Sequence, residues 1–426
     1  MFFCKKLKNG LQLITAPISG TKSFTILVLF RAGSRHENLK NRGLAHFLEH
    51  IFFKGGKKYN SPKKVSAAID SVGGEINAFT GKEYAGYFIK VAGEKKEIAF
   101  DVLSDILLSP KFSSEDIKRE KNVILEELKM YQDTPIYQVG WDFERLLFGD
   151  NSLGWDQIGT QETITSFQKS DFEEFWNNFY FSKNAILVCT GDISQKESKQ
   201  LTEKFFNFKP NNKKKSKFKK FSFDKNNFPV SIREKQTEQN HIVIGFPGKK
   251  FGDQDDITIR LLSIILGGNM SSRMFSEIRE KLGLAYSIRT STDHYSDVGV
   301  ISTHAGVDLS RTSEAISAIK NQYYKMAKSG PNEKEVEMAK NFLKGKLTLQ
   351  MEDSEELASF FGSQAILQSE DKIITLEKFF EKIEQISCQK IKNLAKELFN
   401  PEKIFLSAIG PLSDQKDEFA KIIRNQ

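Results

Sequence analysis

The sequence predicts an α+β fold of two duplicated layered domains, each a sheet covered by helices, and three observations carry that expectation. Strand-like and helix-like runs are clustered rather than strictly alternating, which favours a layered sandwich over a doubly wound parallel sheet. A polar and strongly basic stretch at 209–227 cuts the 426 residues into two segments of similar length, 1–208 and 228–426. The two segments also repeat one another at a fixed offset of 219 residues.

The elements follow in order. In the first segment Ile26–Phe30 and Gly86–Val91 are apolar runs of strand length, Lys96–Leu108 reads as a helix, and Asn184–Gly191 is an apolar strand closed by a glycine before a helical stretch to Phe206. In the second, Ile242–Phe246 and Val298–Thr303 are strands, Ser310–Met326 is a helix, and Ile404–Gly410 is a strand preceding Glu418–Ile423. The offset that carries Gly191 onto Gly410 also carries the helical Asp116–Leu128 onto Glu335–Leu347. Two independent matches at one offset argue for gene duplication.

Composition narrows the classes. With 39% apolar and 28% charged residues and 36 Phe, the chain is a folded protein rather than a disordered or low-complexity one. Three widely spaced cysteines, Cys4, Cys189 and Cys388, offer neither a disulfide framework nor a CxxC metal site, so a reducing, cytoplasmic compartment is expected. The start Met1–Gly10 has no apolar signal core and no long uncharged apolar run occurs, so neither secretion nor a membrane partner is expected. The net charge of +8 is concentrated in Lys213–Lys220. That run is expected to be a solvated linker rather than a nucleic-acid site, the alternative being a basic surface for anionic ligands.

The chemistry is concentrated at Gly43-Leu-Ala-His46-Phe-Leu-Glu49-His50-Ile-Phe-Phe53. On a helix, residues three and four apart share a face, so His46, Glu49 and His50 project together while Phe47, Leu48 and Ile51 pack elsewhere. Two imidazoles one turn apart suit tetrahedral zinc, and the neighbouring carboxylate can act as base toward a water. In a chain with 6 His, chance gives about 0.01 occurrences of H-x-x-E-H. A third ligand is required. The helical Glu115–Met130 carries Glu120, Glu126 and Glu127; Glu120 and Glu127 lie nearly two turns apart on one face, and Glu126 is turned about 100° away. One of these carboxylates can bind the metal and another hold a ligand.

The stretches Arg42–Gly55 and Glu120-Lys-Asn-Val-Ile-Leu-Glu-Glu127 resemble the inverted-zincin peptidases of the pitrilysin and insulysin family, the short bacterial branch similar to the β subunit of the mitochondrial processing peptidase. The resemblance covers essentially the whole chain, duplication included. It implies that His46, His50 and Glu127 bind Zn2+, that Glu49 is the base, and that Glu120 supports the site from behind. It selects Glu127 over Glu126, because 76 residues separate Glu127 from His50 as the family pattern demands. At the duplicated position the second half carries Lys346, and no H-x-x-E-H follows the linker. That half is expected to serve binding.

Within it, Leu266–Tyr286 combines a glycine turn, an amphipathic helix and a strand entrance. Read alone, Arg279 is an ordinary ion-pair partner for glutamates on its helix. The resemblance makes Arg279 and Tyr286 substrate-binding residues whose donors hold a peptide carbonyl or a developing oxyanion. It likewise makes Gly74–Thr80 an edge strand beside the zinc, where an extended peptide pairs at Asn77 and Ala78. His36, His241, His294 and His304 lack metal-ligand spacing and are expected to be packing residues.

These expectations combine into a zinc endopeptidase hydrolysing extended peptides or flexible protein segments inside a chamber. The alternative is a catalytically silent assembly or binding subunit of the same fold, as in respiratory complexes. The long family members close four such domains around a chamber; two domains imply a homodimer with sites completed in trans.

Overall fold

Among the described residues, 2–209, 211, 213–223 and 228–424 of this computed structural model, eleven strands form two sheets. The first sheet contains β1 (Phe3–Lys6), β2 (Gln12–Pro17), β3 (Ser23–Phe30), β4 (Glu75–Thr80), β5 (Ala85–Ala92) and β6 (Ala185–Gly191), ordered β1-β2-β6-β3-β5-β4. The second contains β7 (Val230–Glu234), β8 (Asn240–Gly248), β9 (Ala285–His294), β10 (Gly299–Val307) and β11 (Phe405–Gly410), ordered β7-β11-β8-β10-β9. Without β1 the two orders are the same. The pairing senses match as well: β2 with β6 and β7 with β11 run parallel, and the remaining neighbours antiparallel. The duplication expected from the glycine offset is therefore a duplication of topology.

Each central strand is apolar on both faces because both faces are covered. Alternation along β3 sends Leu27 and Leu29 into one cluster with Ile14, Ile186 and Val188. Phe24, which lies on the other face by the same alternation, stacks on Phe100 of the helix Lys96–Leu108, at a ring separation of 5.7 Å. That helix has the bounds its periodicity predicts.

The chain forms two compact units that follow the two halves except for one reciprocal exchange. The first unit comprises Met1–Leu128, Trp155–Lys219 and Leu347–Thr375; the second comprises Lys129–Gly154, Lys220–Lys346 and Leu376–Gln426. Helix Ser354–Leu367, from the second half, covers the first sheet, packing Ala358, Phe361 and Ala365 on Leu27, Leu29 and Val188. Helix Pro135–Phe148, from the first half, covers the second sheet, packing Val139, Phe143 and Leu147 on Val243, Val300 and Ile409. Two elements thus sit across the boundary expected from the linker. An apolar helix face specifies that it must be covered, not which of two similar sheets covers it.

The basic linker is more firmly placed than a solvated tether. Its described lysines are exposed, but the Ser216 hydroxyl donates to the Arg31 carbonyl at 2.8 Å and Phe218 lies under the Arg35 guanidinium at 4.0 Å. Lys213 Nζ donates to the Asn177 carbonyl at 3.0 Å. Residues 210, 212 and 224–227 of the expected linker lie outside the described residues. None of the three cysteines forms a disulfide, and no described helix is long and apolar enough to cross a membrane.

His294 closes β9 with a side chain only 5% exposed. Its Nδ1 lies 2.8 Å from the Lys249 carbonyl and its Nε2 2.9 Å from Thr292 Oγ1. Burial, and then the nearby Arg260, pushes its pKa down to about 4, with Asp256 pulling the other way. A folded-state value below the unfolded one means that the native protein binds fewer protons. The stability is therefore present above about pH 6.5 and lost as pH falls toward 4, at roughly 1.4 kcal/mol per pH unit. Between those pH values the urea midpoint of His294→Gln should fall less steeply than that of the parent; equal slopes would contradict the assignment.

Candidate metal centre

The helix Leu44–Phe52 buries Leu44, Ala45, Phe47, Leu48, Ile51 and Phe52, leaving His46, Glu49 and His50 half-buried on the remaining face. Phe47 is held edge-on by Phe172 at 4.9 Å, and Phe52 by Tyr87 at 5.2 Å. Gly43 starts the helix at φ +88°, a conformation suited to glycine, and a Cβ there would lie 2.3 Å from the Ile158 carbonyl oxygen. The helix N-terminus has no cap of its own. Glu37 supplies one from six residues upstream, its two oxygens accepting from Gly43 N at 2.8 Å and Ala45 N at 2.7 Å. Burial pushes the Glu37 pKa up to about 8, against the pull of those N–H groups, Lys82 and Arg42.

The second helix, Ser114–Asp133, buries Ile117, Glu120, Ile124 and Leu128. That register leaves Glu126 exposed and turns Glu127 toward the imidazoles. Glu127 Oε1 lies 3.7 Å from His46 Nε2, and Glu127 Oε2 lies 3.4 Å from His50 Nε2. One ligand atom from each of the three residues falls within 4.8 Å of the others, and they form the only such cluster among the described residues. Burial, followed by the proximity of His50, pushes the His46 pKa down to about 4, against the pull of Glu127. His46 is thus a neutral imidazole with a lone pair to give. Two imidazoles and one carboxylate at these separations fit a zinc ion, with room in its coordination for a further ligand.

Glu120 does not join that cluster. Its buried carboxylate pairs with the Lys54 ammonium just beyond the first helix, tying the two helices together. Glu49 is pushed up in pKa by burial, and less by Glu127, while Thr80 and His50 pull it down. Its one hydrogen bond among the described residues comes from Thr80 Oγ1 to Oε2, at 2.5 Å. The β4–β5 turn that follows Thr80 is braced by the segment that caps the helix. Arg35 Nη1 reaches Glu83 Oε1 at 2.6 Å, both side chains being buried, and Arg35 N donates to the Lys82 carbonyl at 2.7 Å. Thr80, Glu37 and Lys54 are the residues that the motifs did not single out.

β4 is an edge strand, as the resemblance implies, with a neighbour among the described residues only on its β5 side. Asn77 is exposed on it and Ala78 half-buried. In the second unit, Leu266–Tyr286 folds as wide, π-type helical turns at Ile264–Gly268 and Phe275–Lys281 that lead into β9. The Arg279 guanidinium lies over Phe275 at 4.6 Å and Tyr286 at 5.8 Å, and makes no ion pair among the described residues; Glu277 pairs with Lys281 instead. Tyr286 is 75% exposed. The pair is adjacent, and the ordinary ion-pair reading of Arg279 does not hold.

A duplicated layered fold with an H-x-x-E-H helix beside a carboxylate-bearing helix defines a metallopeptidase. The chain belongs to the insulinase family, peptidase family M16: the model of that family matches residues 14–145, and that of the M16 inactive domain matches residues 166–343. It is 32% identical to the uncharacterized zinc protease YmxG of Bacillus subtilis, over 95% of this chain and 97% of the relative. It is also 32% identical to an uncharacterized zinc protease of Rickettsia bellii, over 96% and 98%. In fold it is similar to a protease from Helicobacter pylori, with a TM-score of 0.90 at 22% identity over 96% of this chain and 99% of the other. It is likewise similar to a chain of complex III2 from Candida albicans, with a TM-score of 0.84 at 17% identity over 99% of each.

The Glu37 brace has a measurable consequence. Glu37→Ala leaves the Gly43 and Ala45 N–H groups buried without their acceptor, and should lower the unfolding free energy by about 2–4 kcal/mol. Urea denaturation measures this. A loss under about 0.5 kcal/mol, the size of an ordinary surface change, would contradict the role.

Proposed function

We propose that this chain is a zinc-dependent endopeptidase acting on extended peptides or flexible protein segments, with His46, His50 and Glu127 as metal ligands and Glu49 as the base. The observation that supports it most directly is the convergence of the three donors within 4.8 Å, with Glu49 on the same helix. A zinc ion held there supplies Lewis acidity toward a water and the scissile carbonyl. The chain's own groups do the rest. Thr80 occupies Glu49 Oε2, which leaves Oε1 to take the proton from the attacking water and pass it to the leaving amine nitrogen. Burial of Glu49 raises its proton affinity toward the range in which a carboxylate serves as a base.

Substrate recognition follows from exposed backbone. An extended peptide adds to the free edge of β4 at Asn77 and Ala78, where main-chain hydrogen bonds give affinity with little sequence demand. Arg279 and Tyr286 offer donors to a substrate carbonyl or the developing oxyanion. With two sheets per chain, a two-fold homodimer is the simplest closed chamber, each catalytic half facing the partner's Arg279 and Tyr286. The rival, a silent assembly subunit, draws support only from fold likeness, and a complete donor set argues against it.

Glu49→Gln should keep near-stoichiometric zinc while turnover of a quenched peptide library falls by about 10²-fold or more. Glu127→Gln should lose zinc while Glu126→Gln keeps both metal and turnover, since the helix turns Glu126 away. A zinc-free Glu49→Gln, or a Glu126→Gln that loses metal, would overturn the assignments.

Mixing Arg279→Ala with Glu49→Gln chains should restore part of the activity, because one site of the mixed dimer combines both intact residues. No recovery in a mixture that native mass measurement shows to contain heterodimers would refute sites completed in trans.

A further inference from the structure

The side chains of β4 alternate, with Asn77 and Phe79 exposed on one face and Ala78 and Thr80 half-buried on the other. Thr80 is the last residue of the strand and meets the metal helix, where its hydroxyl donates to Glu49 Oε2 at 2.5 Å. A threonine hydroxyl has a single proton to give. Given to Glu49, it decides which way the carboxylate faces.

The donor is fixed independently of the acceptor. The turn after Thr80 is closed by Gly81 N to the Tyr84 carbonyl at 2.8 Å, and is bound to the neighbouring segment by Ser34 N to the Gly81 carbonyl at 3.2 Å. Two buried charged side chains pin it further: Glu83 is paired with Arg35, and Lys82 Nζ donates to the Trp155 carbonyl at 2.6 Å. Two residues beyond Arg35, Glu37 caps the helix that carries Glu49. Thr80 and Glu49 are therefore held by one short segment, Ser34–Glu37, and the hydrogen bond between them closes the frame. A flexible glutamate side chain placed this way has little rotamer freedom left to lose when substrate arrives.

We propose that Thr80 is a positioning residue for peptide hydrolysis, holding Glu49 by Oε2 so that Oε1 faces the substrate. This rests on the reading of Glu49 as the base. β4 is also the strand whose free edge would receive the peptide, so one strand aims the base and seats the chain to be cut.

The test is a pair of substitutions with metal loading, stability and kinetics measured on the full chain. Thr80→Val keeps the β-branched shape that suits a strand and removes only the donor. Its kcat should fall about tenfold or more while KM stays within about twofold, and zinc content and thermal midpoint should match the parent. Thr80→Ser, which retains the donor, should recover kcat to within about threefold of the parent. The proposal is overturned by an unchanged kcat in Thr80→Val, by a Thr80→Ser as impaired as Thr80→Val, or by loss of zinc or early melting in Thr80→Val. Glu49→Gln measured alongside separates the two levels. Full turnover in Glu49→Gln defeats the base reading itself, whereas an inactive Glu49→Gln with an unaffected Thr80→Val defeats only the positioning role.

Discussion

The geometry of the candidate site depends on how the helix Leu44–Phe52 is held against the edge hairpin, and the segment Ser34–Glu37 does that holding. Glu37 satisfies the N-terminus of the helix while Arg35 satisfies the hairpin turn through Glu83 and the Lys82 carbonyl. Both side chains are polar and almost without exposure. A buried polar or charged group is tolerated only when its hydrogen bonds are made, so this arrangement has few alternatives of comparable energy. The helix Leu44–Phe52 is anchored from outside, since its own sequence offers no capping side chain.

Duplication explains the architecture and its asymmetry together. Two sheets of one topology each need a covering layer, and each receives a helix from the other half of the chain. Only one half carries the donor set. The helix Glu333–Gln350, equivalent to the one bearing Glu127, presents an exposed Lys346 there, a cation where a ligand carboxylate would have to be. The second half instead places Arg279, on a wide helical turn, beside Tyr286 at the start of β9, with the guanidinium resting on aromatic faces rather than neutralised by a carboxylate.

Much of this was legible because the relevant signals are periodic and local. His46, Glu49 and His50 share a face by helical spacing, which also turns Glu126 away from Glu127, whereas the choice of Glu127 as ligand and the edge position of Gly74–Thr80 came from the family resemblance. What escaped was set by contacts between residues distant in sequence. Thr80 reaches Glu49 across 31 positions and meets it only once the hairpin has folded back on the helix. Glu37 lies outside the helix it caps, and Lys54 finds Glu120 on a different element. The exchanged helices escaped because two similar sheets pose the same demand to an apolar face. The linker escaped because composition reported its lysines but not the grip of Ser216 and Phe218.

Hydrolysis is proposed to depend on a zinc site formed by three side chains from two helices, and a metal titration tests this dependence. Protein stripped of metal by a chelator is given zinc in measured increments, and bound zinc and turnover of a quenched peptide library are followed together. Turnover should rise linearly with bound zinc and level off at about one ion per chain, as a site of three protein ligands plus an open position demands. Hydrolysis that persists in fully stripped protein, or one bound zinc per chain with no hydrolysis, would contradict it.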